Sequence, residues 1–452
     1  MFDLCIKNGL VIRAEGCFRA HIYIKDGVIC AFSQGDTTLE ANTVIDAAGK
    51  YIFPGFVDPH AHLNDPGLTN SEDFYTGTCS AAAGGITTCL EHPITIPLPS
   101  TYETLKQKKE ICQSKAVTDF ALFGAAVPDN IDQIDSMTEL GAVAFKAFLT
   151  VSPDMPQSKE PDIIGHLENL KGKGPVMPIH CEDQSICEAS IAAMREAGKV
   201  SPADYYNGRP EVAEAVAINR MAYLAQYTGG KMHIVHCSIP QGVDIVEEHK
   251  KKGVDITVET CPHFLVFDHS IMEKEGIFAI CNPPIRDRET VEELWKRVLD
   301  NKVDFIGSDH AAYTVKEKEA GLEDCFNTPA GLTGIQTGFI AFFSEGVMRR
   351  GMSLEQFAAM TSTNAAKRYG VYPKKGDIAI GADADFVIID PRVSWTVKKE
   401  DLFYMCPWSP YIGMNIDGKI EKTIVRGTVV YEDGRINVEP GFGKFVKRIN
   451  ND

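Results

Sequence analysis

Residues 56–67, FVDPHAHLNDPG, place two histidines two positions apart, directly after the apolar run YIFPGFV and ahead of an Asp-Pro-Gly turn. In a strand, side chains alternate faces with period two, so His60 and His62 leave the same side of the sheet. Two imidazoles then converge on one point, which suits a metal ion, although packed histidines would give the same pattern. What decides the fold is whether other ligand-type residues also stand where apolar runs stop.

Working outward, short apolar runs such as GITTCLEH, FALFGAAV, AVAFKAFL, PVMPIHC, KMHIVHC, DITVETC and VDFIGSD alternate with helical stretches such as SICEASIAAMREAG and RPEVAEAVAINRMAYLAQYTG. Strands alternating with helices predict a parallel sheet. Seven or eight such units over roughly 320 residues predict a (β/α)8 TIM barrel across 54–375, with its site at the carboxyl ends of the strands. The first fifty residues instead read as hairpins (LCIKNGLVI, HIYIKDGVICAFS), and the last eighty repeat that texture, with Asp433-Gly434 as a turn signal. The expected architecture is α/β: a TIM barrel at 54–375 and a small β-sandwich built from both termini, 1–53 plus 376–452.

Composition narrows the function classes. The chain has 452 residues, 44% hydrophobic and 24% charged, and a formal net charge of -17. That balance argues against a nucleic-acid partner, which normally meets a basic stripe. The longest lysine run, EEHKKKGVD, lies between acids and reads as a solvated helix end. Charges interrupt the apolar residues of the amino terminus, and no window approaches a membrane span, so a cytoplasmic location is expected. Thirteen scattered cysteines without a Cys-x-x-Cys pair fit reduced thiols.

The barrel reading can be tested within the sequence. AVAF leads to Lys146, PVMPI ends at His180, KMHIV ends at His236 and VDFIGS leads to Asp309. Either histidine alone would read as a hydrogen-bonded core residue. Six ionisable or ligand-type groups on five strand ends are harder to assign to packing, because such groups are costly to bury unless paired or metal-bound. Lys146 stays open from the residues alone. It is either a lysine whose stem lies over the barrel with its charge in solvent, or a desolvated amine converted by CO2 into a metal-bridging carbamate.

In order, VDPHAHLNDPG, SAAAGGITT, FKAFL, PIHCED, HIVHCS, ETCPHFL, CNPPIRD and GSDHA resemble the cyclic amidohydrolases of the amidohydrolase superfamily: allantoinase, dihydroorotase, hydantoinase and dihydropyrimidinase. The resemblance extends to the carboxyl-terminal GDIAIGADADFVIID. It implies two divalent metal ions, zinc first, with iron, manganese, cobalt or nickel also compatible with the ligands. His60 and His62 would hold one ion together with Asp309, His180 and His236 the other, and carboxylated Lys146 would bridge them. Hydroxide activated by the ions would attack a ring carbonyl, while Asp309 takes its proton and delivers it to the leaving nitrogen. His233, His263 and His310 match positions that are not ligands. The resemblance also implies a homotetramer.

Substrate positions separate the members. Dihydroorotases resemble one another in an arginine two residues after His-x-His and an asparagine after the next strand, where this chain has Asn64 and Thr95. Hydantoinases and dihydropyrimidinases carry a tyrosine five residues beyond the bridging lysine, where this chain has Val151, which cannot donate a hydrogen bond. HLNDPG, NGRPEVAEAVAI, NAAKRYGV and SPYIGMNIDGKIEKTIVRG look like allantoinase segments, which implies hydrolysis of allantoin to allantoate, with Asn64, Thr95 and Asn282 as substrate contacts. EHPITIP, residues 91–97, departs from the allantoinase pattern by placing His92 and Thr95 where an apolar residue and an amide are usual. His92 reads as a packed or exposed loop residue. A hydantoinase-type or other cyclic ureide hydrolase is the alternative. From another class comes the dihydropyrimidinase-related scaffold protein, which has lost metal ligands; here every ligand position is filled. The polar segment TVKEKEAGLEDCFNTPAG, just after Asp309, is a lid candidate.

Overall fold

A computed structural model describes all residues except 36–38, 153–154, 407 and 450–452. Its centre is a nine-stranded parallel sheet with helices between successive strands. In chain order the strands are β1 (Phe56–His62), β2 (Ile86–Glu91), β3 (Asp119–Ala125), β4 (Ala144–Phe148), β5 (Met177–His180), β6 (Met232–Ile234), β7 (Ile256–Thr260), β8 (Phe305–Ile306) and β9 (His310–Ala311). Each of the first seven pairs with the next, β7 pairs with β8, and β9 pairs with β1, His310 opposite Ala61. The two ends of the sheet are thus neighbouring pieces of one chain segment, 305–311, so the sheet curls round on itself. Every residue of β1, β3 and β4 is buried. Strands covered on both faces read as unbroken apolar runs rather than as alternation.

Local signals position the helices. The Asp73 carboxylate accepts from the Thr76 backbone N–H at 2.9 Å and starts helix α1 (Phe74–Ala83). Asp183 does the same for α2 (Gln184–Glu196), accepting from Ile186 N–H at 3.1 Å. Helix α3 (Glu211–Thr228) ends at Gly229, whose φ of 68° is the left-handed cap that glycine adopts most easily.

The termini form two further sheets. One has four strands, all between Phe2 and Asp46. The other has seven and mixes the two ends of the chain: Tyr51–Pro54 pairs with Phe386–Thr396, which pairs with Asn415–Val425. Both sheets contribute to one hydrophobic cluster that includes Leu4, Ile22, Ile24, Ile52, Phe386 and Ile424. No helix is long and apolar enough to cross a membrane among the described residues.

Candidate metal centre

Every candidate ligand stands at the carboxyl end of the curled sheet. His60 and His62 lie on β1, Lys146 on β4, and His180 ends β5; His236 follows β6, and Asp309 lies between β8 and β9. His60 and His62 both turn Nε2 towards Asp309 Oδ1, at 3.1 and 3.6 Å. His180 Nδ1 faces His236 Nε2 at 2.8 Å. The His60 and His236 rings are 5.3 Å apart, and these five residues line one cavity of about 530 Å³.

Two carboxylates fix the tautomers. Glu259 accepts from His60 Nδ1, and Glu182 accepts from His180 Nε2 at 2.8 Å. Both acids are held below the usual carboxylate range, since neighbouring cations and donors outweigh their burial. As acceptors only, they place each ring proton on the far nitrogen and leave the near nitrogen's lone pair facing the cavity. Burial lowers the His60 imidazole, yet Asp309 and Glu259 outweigh it and raise it to about 9. His62 is lowered to about 4 by burial, against its hydrogen bond to Asp309. A pocket that binds a proton so firmly between two carboxylates is an electrostatic seat for a cation.

Lys146 tests whether a metal pair fits. Its Nζ is fully buried and has no hydrogen-bond partner among the described residues. Burial lowers the amine to about 8, against the pull of Glu259 and Asp309. Its charge acts on His62, His92, His180 and His236 alike, which puts it among them. An unpaired buried amine is costly. The donor set of four imidazoles, one carboxylate and one amine open to carboxylation fits two divalent cations.

The backbone is strained here. Asn64, His236 and Asp309 have φ of 61°, 38° and 47°, three of the eight non-glycine residues with positive φ among those described. Left-handed backbone costs such residues of order 1–3 kcal/mol and concentrates where function demands it. Close approach matters too. A Cβ on Gly307 would fall 2.8 Å from His60 Cβ, and one on Gly67, at φ 93°, would meet the Ile96 carbonyl oxygen at 2.2 Å.

The expected substrate contacts divide. Asn64 lines the cavity and donates to Ser71 Oγ at 3.0 Å and the Ala312 carbonyl at 3.3 Å, which turns its Oδ1 into the available acceptor. Asn282 also lines it; its Oδ1 accepts from the Tyr205 hydroxyl at 2.7 Å, so its NH2 is the group left to donate. Thr95 is elsewhere: its hydroxyl donates to the Pro97 carbonyl at 3.1 Å, and the cavity wall at this point is Ile94. His92 is packed, not in an exposed loop. It follows β2, stacks on His60 with ring centres 3.8 Å apart at 8°, and donates from Nε2 to the Pro59 carbonyl at 3.2 Å. One ring nitrogen each of His60, His62 and His92 lie within 4.8 Å of one another, as do one ligand atom each of Cys261 (sulfur), His263 (nitrogen) and Asp309 (oxygen). His310 Nδ1 accepts from Gly334 N–H at 3.2 Å, a structural bond.

Several supporting residues were not singled out from the sequence. Asp58 accepts from the backbone N–H groups of His60 and Ser308, at 3.1 and 2.9 Å, and so joins β1 to the segment carrying Asp309. Glu259 also accepts from the His236 N–H at 3.2 Å, and Arg209 grips Glu182 at 2.9 and 2.5 Å. An acid at the end of DITVET was the signal for Glu259; nothing local marks Arg209. The lid candidate is folded and pinned. Lys318 donates to the carbonyls of Ile280, Pro329 and Gly331 at 3.1, 2.8 and 2.7 Å, and Arg195 donates to Asp324 at 2.7 Å and Asn327 at 3.0 Å.

Residues 51–430 match the Amidohydrolase family. The chain is 37% identical over 451 residues to the allantoinase of Escherichia coli O1:K1, covering 98% of this chain and 96% of that protein. It is 38% identical over 449 residues to the allantoinase of Rubrobacter xylanophilus, covering 99% and 98%. Among solved structures, the L-hydantoinase (dihydropyrimidinase) of Arthrobacter aurescens superposes with a TM-score of 0.97 at 33% identity, over 99% of this chain and 100% of that one. The dihydropyrimidinase of Brevibacillus agri NCHU1002 gives 0.93 at 30% identity, over 99% of both chains. With the histidine pairs and the strand-end aspartate gathered in one cavity, and with likeness along almost its whole length, the chain belongs to the amidohydrolase family.

Proposed function

We propose that this amidohydrolase opens the cyclic ureide allantoin to allantoate, using two divalent metal ions held by His60, His62, His180, His236, Asp309 and a carbamate on Lys146. The orphaned Lys146 amine among the imidazoles is the observation that carries the metal reading. Full-length identity to the two allantoinases supports the choice of ring. The bound cations, zinc by family resemblance, would supply a hydroxide nucleophile near neutral pH and polarise the scissile carbonyl.

The chain's own residues do the rest. Asp309 turns Oδ1 towards both β1 histidines, where it would share in holding their ion, and its other carboxylate oxygen takes a proton and returns it to the leaving ring nitrogen. Asn64 Oδ1 accepts from a ring N–H, and the Asn282 amide donates to a ring carbonyl. Arg209 and Glu182 keep His180 in one tautomer. Val151 lines the cavity mouth and adds no hydroxyl there, which suits the polar ureide reading less through itself than by removing a tyrosine donor. The same reading takes 54–375 as a closed (β/α)8 barrel, because one segment supplies both sheet ends, and 1–53 with 376–452 as a β-sandwich. It also takes the protein as a cytoplasmic homotetramer.

A second reading, hydantoin or dihydropyrimidine hydrolysis, draws on the likeness to the Arthrobacter aurescens enzyme. Side-by-side hydrolysis of allantoin, hydantoin, dihydrouracil and dihydroorotate by metal-replete protein, grown with bicarbonate, separates the two. Allantoin should give the highest kcat/KM; a higher value for any other ring would replace the assignment.

A further inference from the structure

One buried guanidinium joins three segments that lead to the cavity. Arg286 is 2% exposed and directs its three nitrogens to three partners: Nε donates to Ser238 Oγ at 3.0 Å, Nη1 to the Arg209 carbonyl at 2.7 Å and Nη2 to Glu214 Oε2 at 3.0 Å. These partners lie 48, 77 and 72 positions away in the chain.

Each bond leads to a group already placed in the site. Segment 205–209 is gripped at both ends by segment 282–286: the Tyr205 hydroxyl donates to Asn282 Oδ1 at 2.7 Å, and Arg286 holds the Arg209 carbonyl. From that segment the Arg209 side chain reaches Glu182, which in turn accepts from His180. The other two bonds lead to His236. Glu214 accepts from the Ser238 N–H at 2.8 Å, and with Ser238 Oγ held by Arg286 the backbone is fixed two residues past His236, whose φ of 38° needs such support.

Stability alone does not account for this arrangement, since a buried ion pair is often matched by apolar packing of the same volume. What a planar fork of donors supplies is fixed geometry among several partners. We propose that Arg286 is a positioning residue, which holds Asn282 and the His180–His236 pair at one separation, so that a ring held by the first stays in register with an ion held by the second. The inference rests on the metal centre and the Asn282 contact of the proposed function, and not on which ring is opened.

Arg286→Lys keeps a cation beside Glu214 but replaces the fork by one ammonium, which cannot serve Ser238 and the Arg209 carbonyl in the same geometry. In metal-replete protein challenged with a chelator, one ion should leave at the native rate and the other about 10-fold faster, and KM should rise several-fold. In a His180→Ala background, where only the ion beside β1 is held, the same substitution should leave release unchanged. Ser238→Ala cuts the branch to His236 and spares the one to Arg209, so it should quicken release of one ion with KM native; it removes only a hydroxyl, and it carries the test if Arg286→Lys fails to fold. Release of both ions quickened alike, or quickened in the His180→Ala background too, would make Arg286 a support of the fold at large. Native release and native KM in both variants would overturn the positioning role while leaving the metal centre standing. A native protein that holds no pair of ions, or an Asn282→Ala variant with native KM, would instead overturn that part of the proposed function and this inference with it.

Discussion

Asp309 carries two tasks that substitution can separate. It is partly buried beside His60 and His62, and those imidazoles hold its carboxyl well below the usual range despite its desolvation. Asp309→Asn keeps an oxygen facing the β1 histidines but cannot shuttle a proton, so kcat should fall about 10²- to 10⁴-fold. Metal analysis should still find most of the bound ions, and an undiminished rate would remove Asp309 from proton transfer. Lys146→Ala should lose the metal pair itself, read as metal content after gel filtration. His92 acts through the ring it covers. His92→Phe keeps the stack on His60 and should hold metal to within a few-fold, whereas His92→Ala opens space against His60 and should weaken metal retention about 10- to 100-fold in chelator competition. Equal losses in both variants would assign the effect to the Nε2 bond to Pro59 instead. Legibility at this scale follows chemistry. His60, His62, Lys146, His180, His236 and Asp309 stand out because each interrupts or ends an apolar run. Glu259 and Arg209 do not, since one acid among 62 acidic residues or one arginine looks like surface. Only the fold brings Glu259 to His60 across 199 positions.

Between residues and molecule lie the strand ends and the loops that roof them. The segment after Asp309 reads as an open lid because its lysines and glutamates suggest solvent. Lys318 reverses that: its ammonium is buried, and burial brings it down to about 7, beneath the rings of Tyr313 and Trp408 and against three carbonyl oxygens. The loop is an ordered wall nucleated from inside, and its residues Glu317, Thr328 and Pro329 line the cavity. Removing the donor leaves three buried carbonyls unsatisfied, at about 1–3 kcal/mol each where water cannot replace it. Lys318→Met should therefore raise KM several-fold with a smaller change in kcat, and trypsin should cut within 314–331 sooner than in the native protein. A KM and cleavage rate equal to native would mean that Arg195, through Asp324 and Asn327, suffices to hold the wall. Strand order was open to sequence reading because parallel strands are continuous apolar runs; loop order was not, because it depends on where one long side chain ends.

At the scale of the molecule, the β-rich texture of both termini announced that the ends of the chain would meet, but not how they would be fastened to the curled sheet. The fastening is ionic and buried. Lys375 Nζ lies 2.5 Å from Asp119, 2.9 Å from Asp383 and 2.8 Å from Asp385, and Asp119 also accepts from Arg426 and from the Lys444 N–H at 2.8 Å. Asp119 opens β3 at the amino end of the sheet, while Asp383 and Asp385 lead into Phe386–Thr396 of the terminal sheet. In sequence, KKGDIAIGADADF looks like a charged surface turn, because nothing local reveals that its lysine answers an aspartate 256 positions away. The cluster is far from the histidines, so its role in stability can be isolated. Lys375→Met keeps the stem and removes the charge, which leaves buried carboxylates with Arg426 as their remaining cation. Losing one partner of a buried ion pair typically costs about 3–5 kcal/mol, and a denaturant midpoint should report a loss of that order. The pH dependence gives a second reading. Burial already raises Asp385 above the ordinary aspartate range, against Lys375, and without Lys375 it should rise further. A carboxyl whose folded pKa lies above its unfolded value destabilises fully above the folded pKa and less as pH falls through it, because the folded state then takes up a proton that the unfolded state still lacks. The stability deficit of Lys375→Met should therefore be largest near pH 8 and shrink towards pH 5, while kcat per folded molecule stays native. A deficit that is the same at both pH values would mean that the carboxylates are rehydrated rather than buried in the variant, and that packing of the lysine stem, not its charge, joins the two parts of the protein.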